Sequence, residues 1–486
     1  MKYSASIIGV LSAAVSGVAL FWVFRTGIAH LGRETVGVWS FVAGVFSFAR
    51  LADAGISANM LRLQVLEQEK FGSHCPWTVI AAGAVVVLPA VVLLTVALGL
   101  WLWLGGVQLG GLPASTALLL IILTGAAAVL NTGMGLLVGS LDGTGRSIDR
   151  AVAILIATSL YALSAEPLIA HFGVLGLPAG MALQSVLTML MLSARMPLSR
   201  ERRSSGLAWL VRTSTAYVLQ GIWLGATRAG FEPLCKLAIV QAGGYGAVAV
   251  FDLANRVSAQ IRAMLMSGVQ PLGAMSVERT TGFTEDARAH LMRAWNVAFR
   301  LAAYLAAGQL CAGPLLSILA LHLVEPSFVV YNTIFALAAW VNALGLIGVQ
   351  AETGSARLAP LLRIHIEMLI LNTVTSVGAA IGNLAVLVPL GWGIALAWGG
   401  TRVFLRMLAR FSVPLREARR ITGAGFLEGA GVLLIAALPT MVTTAMLGEN
   451  VVLIAVVQLA TGAVLGVSML YRCKRLLSHE RALQAR

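Results

Sequence analysis

The chain is a succession of apolar runs, each long enough to cross a lipid bilayer. The runs have roughly 20 residues each and recur between short polar breaks from Ser4 almost to the C-terminus. Because 58% of the residues are hydrophobic and only 11% are charged, a water-soluble fold would expose large apolar areas. The sequence therefore predicts an all-α integral membrane protein with about 14 transmembrane helices. The first run, residues 4–24, has no clear cleavage site, so we interpret it as a retained helix.

Basic residues mark alternate connections between the apolar runs. They cluster near 62–70, 146–150, 195–203, 279–293, 357, 416–420 and 472–486. The connections between these, such as HFGV at 171–174 and LGEN at 447–450, contain no Lys or Arg. The positive-inside rule then predicts that both termini lie in the cytoplasm. The formal charge of +14 is explained by this topology and by contact with anionic headgroups, so we expect membrane lipids and no nucleic acid as partners.

Two halves of the chain match at a nearly constant offset. Around the second and eighth spans, matching residues lie 212 positions apart. The pairs are Gly32 with Gly244, Val38 with Val250, Trp39 with Phe251, and Arg50 with Arg262. A later segment, 131–146, lies over 342–357 at an offset of 211. Such duplication is typical of transporters. We predict two pseudosymmetric six-helix transmembrane bundles, 1–205 and 206–412, and a segment 413–486 with helices 13 and 14 and a cytoplasmic tail.

Charged residues inside the spans are the candidate functional groups, because ionisable side chains at bilayer depth are expensive unless they pair or face water. Arg50 and Asp53, three residues apart on the second span, can pair on one helix face. Asp252 and Arg256, four apart on the eighth span, present the same arrangement. Each pair either fixes helix packing or borders a transport pathway, and the sequence leaves both readings open. Arg262 has no carboxylate at helical spacing.

Other charges lie nearer the predicted ends of the spans. Arg25 and Arg228, the second followed by Glu232 and Lys236, are interpreted as snorkelling to the headgroups. Arg402, Arg406 and Arg410 repeat every four residues on the twelfth span, either as a solvated face or as a ladder for phosphate.

Candidate intramembrane arginines outnumber the acids, chiefly Asp53, Glu166, Asp252 and Glu367. A pathway lined by guanidinium groups suits a phosphate-bearing anion, because the planar fork binds phosphate oxygens bidentately. Such a pathway suits a cationic drug poorly.

Sequence signatures of catalysis are missing. The chain has no HExxH pair, no GxSxG elbow and no GxxxxGK[ST] loop, and its four cysteines lie far apart. We therefore expect that the protein is not an enzyme and that it binds no metal and no cofactor. Transport would be powered by a proton or sodium gradient or by the membrane potential, and Asp53, Asp252 and Glu166 are the candidates for gating or coupling.

The motif LGRETVGVWSF at 31–41, followed by ARLADAGISANMLRL at 49–63, resembles the start of Wzx-type polysaccharide flippases. These belong to the multidrug/oligosaccharidyl-lipid/polysaccharide (MOP) exporter superfamily. The stretch GGYGAVAVFDLANRVSAQIR at 243–262 is similar to their second-half segment. The resemblance implies alternating access around a cationic cavity. It also implies a substrate of oligosaccharide on undecaprenyl diphosphate, moved across the bacterial inner membrane for O-antigen, capsule or exopolysaccharide synthesis.

The resemblance also implies roles for particular residues. Arg25 and Arg256 would bind the diphosphate, Arg50 and Asp53 would form a gate on the inner side, and Arg262 would be the pseudosymmetric partner of Arg50. The last two helices, about 426–471, would offer a groove to the polyprenyl tail. A polysaccharide polymerase is a further partner implied by the family.

Three other functions remain open from the sequence. A proton- or sodium-coupled multidrug exporter would need a lone carboxylate, whereas Asp53 and Asp252 each have an arginine at helical spacing. The sequence distinguishes a lipid II flippase poorly from a surface-glycan flippase, and the LGRETVGVWSF motif favours the surface-glycan flippase. A membrane glycan polymerase or ligase would need a sizeable outer loop, and the predicted outer connections are all short.

Overall fold

The computed structural model describes residues 2–47, 60, 63, 64, 67, 76–105, 109–196, 206–278, 285–354, 358–446 and 454–469. Regular structure in these ranges is helical, without strands. The long helices are α1 Lys2–Phe46, α2 Pro76–Leu104, α3 Ala114–Gly143, α4 Ser147–Phe172, α5 Gly176–Arg195, α6 Leu207–Ala229, α7 Phe231–Glu278, α8 Glu285–Leu321, α9 Pro326–Gly354, α10 Leu358–Ile381, α11 Val388–Arg410, α12 Leu415–Met446 and α13 Ile454–Met469.

Ten helical segments of the described ranges are long and apolar enough to cross a membrane. The exposed surface of these segments includes large apolar side chains, such as Leu163, which is 77% exposed, and Ile381, which is 79% exposed. Exposure of this kind is stable in lipid and not in water. The prediction of an all-helical, multi-pass membrane protein is thus confirmed, whereas the count of fourteen spans stays a prediction.

Helix α1 is a hairpin of two helical arms, 2–31 and 33–46, joined at Gly32. The backbone of Gly32 has φ 78° and ψ 164°, a region that only glycine occupies without strain. The rings of Phe24 and Trp39 lie 6.3 Å apart between centroids. In one straight helix, fifteen residues would separate them by about 22 Å. The second arm therefore folds back along the first.

Helix α7 has the same form, with arms 231–243 and 245–278 joined at Gly244. Gly244 has φ 74° and ψ −178°, close to the values at Gly32. The two glycines are the pair that the sequence repeat matches at 212 residues. The repeat thus has a structural counterpart in two glycine-centred hairpins at equivalent positions.

The chain forms two compact units. The first unit contains residues 1–252 and 352–392, and the second contains 253–351 and 393–486. In the first unit α1 packs along α4, and the Ser12 hydroxyl donates to the Ala151 carbonyl at 3.0 Å. In the second unit α8 packs along α12, with an aromatic stack of Phe299, Trp340 and Phe426. The predicted bundle boundaries at 205 and 412 stay predictions.

Candidate functional site

A fully buried lysine is the centre of the candidate site. Lys236 lies on the first arm of α7 in the first unit, and its side chain has no solvent exposure. Burying an ammonium group in a membrane protein is costly unless all of its N–H groups find acceptors. Lys236 meets this condition through charged and backbone partners.

The ammonium of Lys236 donates to three oxygens, which matches its three N–H groups. The distances from Nζ are 2.6 Å to Glu232 Oε1, 2.7 Å to the Ser40 carbonyl and 2.9 Å to Asp252 Oδ1. The Ser40 hydroxyl lies slightly farther away, at 3.4 Å. These partners belong to the first arm of α7, the second arm of α1 and the second arm of α7. Lys236 therefore ties three helical arms together.

The glycine hairpins explain how these partners meet. Lys236 and Asp252 stand eight residues before and eight after Gly244, so they face each other across the hairpin. Ser40 stands eight residues after Gly32, which makes it the repeat equivalent of Asp252. Lys236 thus contacts equivalent positions of the two sequence repeats.

Close approach of the second arms depends on small residues. A Cβ placed on Gly44 would lie 2.6 Å from Cδ of Lys236, so the side chain occupies the space that glycine leaves. A Cβ on Gly37 would lie 1.8 Å from the carbonyl oxygen of Tyr245 on α7. Gly37 therefore lets the two second arms touch backbone to backbone, as small residues do between membrane helices.

The two acidic partners of Lys236 differ in their exposure to solvent. The side chain of Asp252 is 2% exposed, whereas that of Glu232 is 26% exposed and can retain water. The Lys236 and Asp252 pair is therefore the desolvated part, in which removing one partner is strongly destabilising. Glu232 is the more replaceable acid, because solvent screens part of its charge.

Three further polar contacts lie on the neighbouring helices of the first unit. The Arg228 Nε donates to the His365 Nε2 at 2.8 Å, and the His365 Nδ1 lies 2.8 Å from the Leu361 carbonyl. A ring that accepts at Nε2 and donates at Nδ1 is a neutral imidazole. Next to Lys236, the Cys235 Sγ donates to the Asn372 Oδ1 at 3.3 Å. These contacts fix α10 against α6 and the first arm of α7.

The sequence-predicted residues are placed as follows in the first unit. Asp252 is buried and bound to Lys236, a partner that we did not expect. The guanidinium carbon of Arg25 lies 5.0 Å from the ring centroid of Trp22, and the residue is partly buried. Glu166 is exposed on α4, next to Pro167, and does not join the cluster.

The remaining predicted residues lie elsewhere. Arg256 and Arg262 are partly buried on the portion of α7 that belongs to the second unit. Arg50 and Asp53 lie outside the described residues. The interpretation of Lys236 as a snorkelling residue is wrong, because its side chain is fully enclosed. The signal that could have found it is the equal spacing of Lys236 and Asp252 on either side of Gly244.

The second unit has a polar cluster of its own. Arg300 on α8 donates to Glu428 on α12, with 2.8 Å between Nη1 and Oε2. The Tyr304 hydroxyl lies 3.3 Å from the Glu428 Oε1 and 3.3 Å from the Ser468 hydroxyl of α13. The cluster fastens the C-terminal helices to α8.

Solved structures with similar folds are membrane transporters. The lipid II flippase MurJ, in an inward closed conformation, has a TM-score of 0.62 at 13% identity, with 98% of this chain and 99% of that chain covered. An inward-facing multidrug resistance MATE family transporter of the MOP superfamily has a TM-score of 0.57 at 17% identity, with 82% of this chain and 94% of that chain covered. The eukaryotic MATE transporter AtDTX14 has a TM-score of 0.59 at 18% identity, with 87% of this chain and 98% of that chain covered. The chain has the fold of the MOP-superfamily transporters.

No protein-family model and no curated protein matches the sequence. The likeness therefore rests on tertiary structure at low identity. The similar structures include both an inward-facing and an outward-facing conformation of a multidrug resistance MATE family transporter of the MOP superfamily. The three similar proteins described above are transporters or flippases.

Proposed function

We propose that this protein is a flippase that moves undecaprenyl-diphosphate-linked oligosaccharide from the cytoplasmic to the outer leaflet of a bacterial inner membrane. It would do so by alternating access, for the synthesis of a surface polysaccharide. The observation that carries the proposal is the correspondence of almost the whole chain, 98%, to a lipid flippase. The two MATE transporters described above cover 82% and 87% of this chain.

The motifs at 31–63 and 243–262 support the choice of a surface glycan over lipid II. Arg25 and Arg256 are the proposed ligands of the diphosphate, because guanidinium groups bind phosphate oxygens bidentately. Arg50 with Asp53 is the proposed inner gate, and Arg262 is its partner in the second half. In this function the glycan lipid, the surrounding lipids and a polysaccharide polymerase are the partners.

The Lys236 cluster supplies a candidate for the outer gate. Alternating access requires contacts between the halves that can break and re-form. Among the described residues, the acidic partners Glu232 and Asp252 lie on α7, and Ser40 lies on α1. When α1 moves away, Lys236 keeps both of its ion pairs and loses one hydrogen bond to a backbone carbonyl. Loss of that hydrogen bond costs about 1.5–3 kcal/mol, the usual range for a hydrogen bond to a charged group.

A proton- or sodium-coupled multidrug exporter is the alternative with the same fold. Such a transporter would use a carboxylate whose charge is available to a cation. The Asp252 carboxylate is instead held at 2.9 Å by the Lys236 ammonium, with both side chains almost fully buried. This geometry favours the flippase over the exporter. A lipid II flippase remains the second alternative, since MurJ shares the fold.

The deciding experiment compares a strain that lacks the gene with the same strain carrying it. Spheroplasts are treated with an external glycosidase, and undecaprenyl-diphosphate-linked glycan is extracted and measured. We expect the glycan to be protected in the deletion strain and to be cleaved when the gene is restored. The Arg25→Gln variant should fail to restore cleavage, whereas Arg195→Gln should restore it, because Arg195 is 65% exposed and pairs only weakly with Asp149 at 3.3 Å.

Two results would reject the proposal. If the glycan is equally accessible with and without the gene, this protein is not its flippase. If deletion instead raises sensitivity to cationic drugs, the exporter function replaces the flippase. Accumulation of protected lipid II would identify the peptidoglycan precursor as the substrate.

A further inference from the structure

Three charged residues follow one another across the junction of α6 and α7 in the first unit. Arg228 lies in the last turn of α6, and Glu232 and Lys236 follow on the first arm of α7. Their four-residue spacing is the spacing of a helix ridge. Gly230, between the two helices, has φ −64° and ψ −24°, so the helix continues through it. We call Arg228, Glu232 and Lys236 the α6–α7 ridge.

The α6–α7 ridge lies on the side of the helix that faces away from lipid. The lipid side is marked by two exposed apolar side chains, Trp223 at 65% and Leu237 at 39% exposure. At 3.6 residues per turn, the ridge is turned by about 140–220° from Trp223, whereas Leu237 is turned by only about 40°. Arg228 and Glu232 are partly buried. Their remaining exposed surface is therefore directed into the protein and not into lipid.

Arg228 lies deep within the membrane span. It belongs to a candidate span, Trp223–Met266. The continuous helix from Leu207 to Gly243 is about 55 Å long, and its ends are at least about 22 Å from Arg228 along the axis. The hydrocarbon core of a bilayer is about 30 Å thick, so Arg228 is far from the headgroups at either end. A guanidinium at this depth needs water or a partner, and it does not snorkel as the sequence suggested.

His365 of α10 fixes the orientation of this guanidinium. The Arg228 Nε donates to the His365 Nε2 at 2.8 Å, and the His365 ring is buried. Within the described ranges, this is the hydrogen bond of Arg228, and no carboxylate lies within 4 Å of its guanidinium. Because the bond uses Nε, the fork formed by Nη1 and Nη2 remains for two oxygens of one ligand. A phosphate group has the charge and the oxygen spacing that such a fork binds.

Lys236 closes one end of the α6–α7 ridge. Its ammonium is bound to the Ser40 carbonyl and to the Asp252 carboxylate, which lie on the second arms of α1 and α7. The second arm of α1 follows the ridge from there to Ser47, whose hydroxyl lies 3.5 Å from the Ala229 carbonyl. The ridge thus begins in the contact between the two sequence repeats and leads away from it, toward Arg228. A substrate that approaches along the ridge meets Arg228 before it meets the closed end.

We propose that the α6–α7 ridge is a binding site for the diphosphate of the polyprenyl-linked substrate, with Arg228 as the ligand and His365 as the residue that positions it. This inference rests on the proposed flippase function, and it adds a third arginine to Arg25 and Arg256. Glu232, one turn from Arg228 on the ridge, repels a bound anion. Its negative charge therefore limits how tightly the headgroup is held, which suits a transporter that must release its substrate.

Binding of a defined lipid tests the proposal. The purified full-length protein in nanodiscs of phosphatidylcholine is titrated with undecaprenyl diphosphate, and bound lipid is counted by native mass spectrometry. We expect Arg228→Gln to weaken binding by roughly tenfold to a hundredfold, the loss of a charge-assisted bidentate contact. The matched control is Arg212→Gln, which removes the same charge from an exposed position of the same helix. The control should bind like the natural protein.

Variants of the neighbouring residues separate binding from folding. His365→Gln keeps an acceptor for the Arg228 Nε and should bind almost normally, whereas His365→Leu should weaken binding although Arg228 is present. Glu232→Gln should bind several-fold more tightly, because it removes a negative charge one helical turn from the headgroup. Partial unfolding does not tighten binding, so this gain distinguishes a phosphate ligand from a structural arginine. No gain in Glu232→Gln would place the headgroup away from the α6–α7 ridge.

Further outcomes would overturn the site. Unchanged binding by Arg228→Gln would exclude Arg228 as a ligand, and equal weakening by Arg212→Gln would show a general effect of positive charge. Equal displacement of the probe by phosphatidylglycerol or by inorganic diphosphate would assign the site to ordinary anionic lipids or to a free anion. Transport is measured separately in spheroplasts. Flipping by a protein that binds the lipid without Arg228 overturns only this inference, whereas binding through Arg228 without flipping overturns only the proposed function.

Discussion

Replacing Lys236 by methionine tests whether the buried cluster is an energetic centre of the fold. Methionine keeps most of the length of the side chain and removes the charge. The change takes the ammonium away from Asp252, whose side chain is 2% exposed, and from Glu232, which is 26% exposed. Breaking a buried ion pair in this way costs about 3–5 kcal/mol of unfolding free energy. We expect the Lys236→Met variant to lose stability in that range.

The partners of Lys236 provide graded controls. Glu232→Gln should cost about 1 kcal/mol or less, because the carboxylate is partly solvated. Asp252→Asn should cost more than Glu232→Gln but less than Lys236→Met, since Lys236 then keeps Glu232 and the Ser40 carbonyl. Combining Lys236→Met with Asp252→Asn should recover about 1–3 kcal/mol relative to the sum of the single effects.

The assay is reversible unfolding in mixed micelles with increasing denaturing detergent, followed by tryptophan fluorescence. All four variants are compared at one protein and lipid concentration. A loss of less than about 1 kcal/mol in Lys236→Met, or a larger loss in Glu232→Gln, would show that the buried ion pair does not stabilise the fold. Additive effects of Lys236→Met and Asp252→Asn would show that the two groups do not interact.

Two further predictions concern the hairpin and the buried thiols. Gly244→Ala should lower the unfolding free energy by about 1–3 kcal/mol, because φ 74° with ψ −178° strains any residue with a Cβ. The control is Gly378→Ala, which lies in open space on the helix α10 and should be neutral or stabilising. Equal effects of the two substitutions would contradict the hairpin geometry. Cys235 and Cys311 are buried and should resist a maleimide dye until the protein unfolds, in a variant whose other two cysteines are serine; rapid labelling in the folded protein would contradict their burial.

Much of the architecture can be predicted from the sequence because the bilayer restricts the possible structures. Residues in lipid must satisfy their backbone groups internally, so long apolar runs become helices. The sequence repeat also matched Gly32 with Gly244, and the structure gives both glycines a backbone conformation that glycine alone occupies freely.

The contacts of the candidate site were predicted less completely. Asp252 was identified as a charged residue inside a span, with Arg256 as its neighbour at helical spacing, and its contact with Lys236 was not predicted. Helical spacing describes contacts within one helix, whereas Lys236 reaches Asp252 across a hairpin and Ser40 on another helix. Hydropathy gave no reason to bury Lys236, because a hydropathy scale reflects the cost of transferring an isolated ammonium group out of water. The scale takes no account of the carboxylates and carbonyls that an ammonium meets in the folded protein.

The sequence alone determined that this protein is a helical membrane protein, how its repeated halves align, and which charges stand inside the spans. Those properties follow from local composition and periodicity, which act along the chain. Only the tertiary structure decided that Lys236 is enclosed by Glu232, Ser40 and Asp252, and that Arg228 is held by His365. Pairing and exposure depend on which helices pack together, and that packing is set by contacts between residues far apart in the chain.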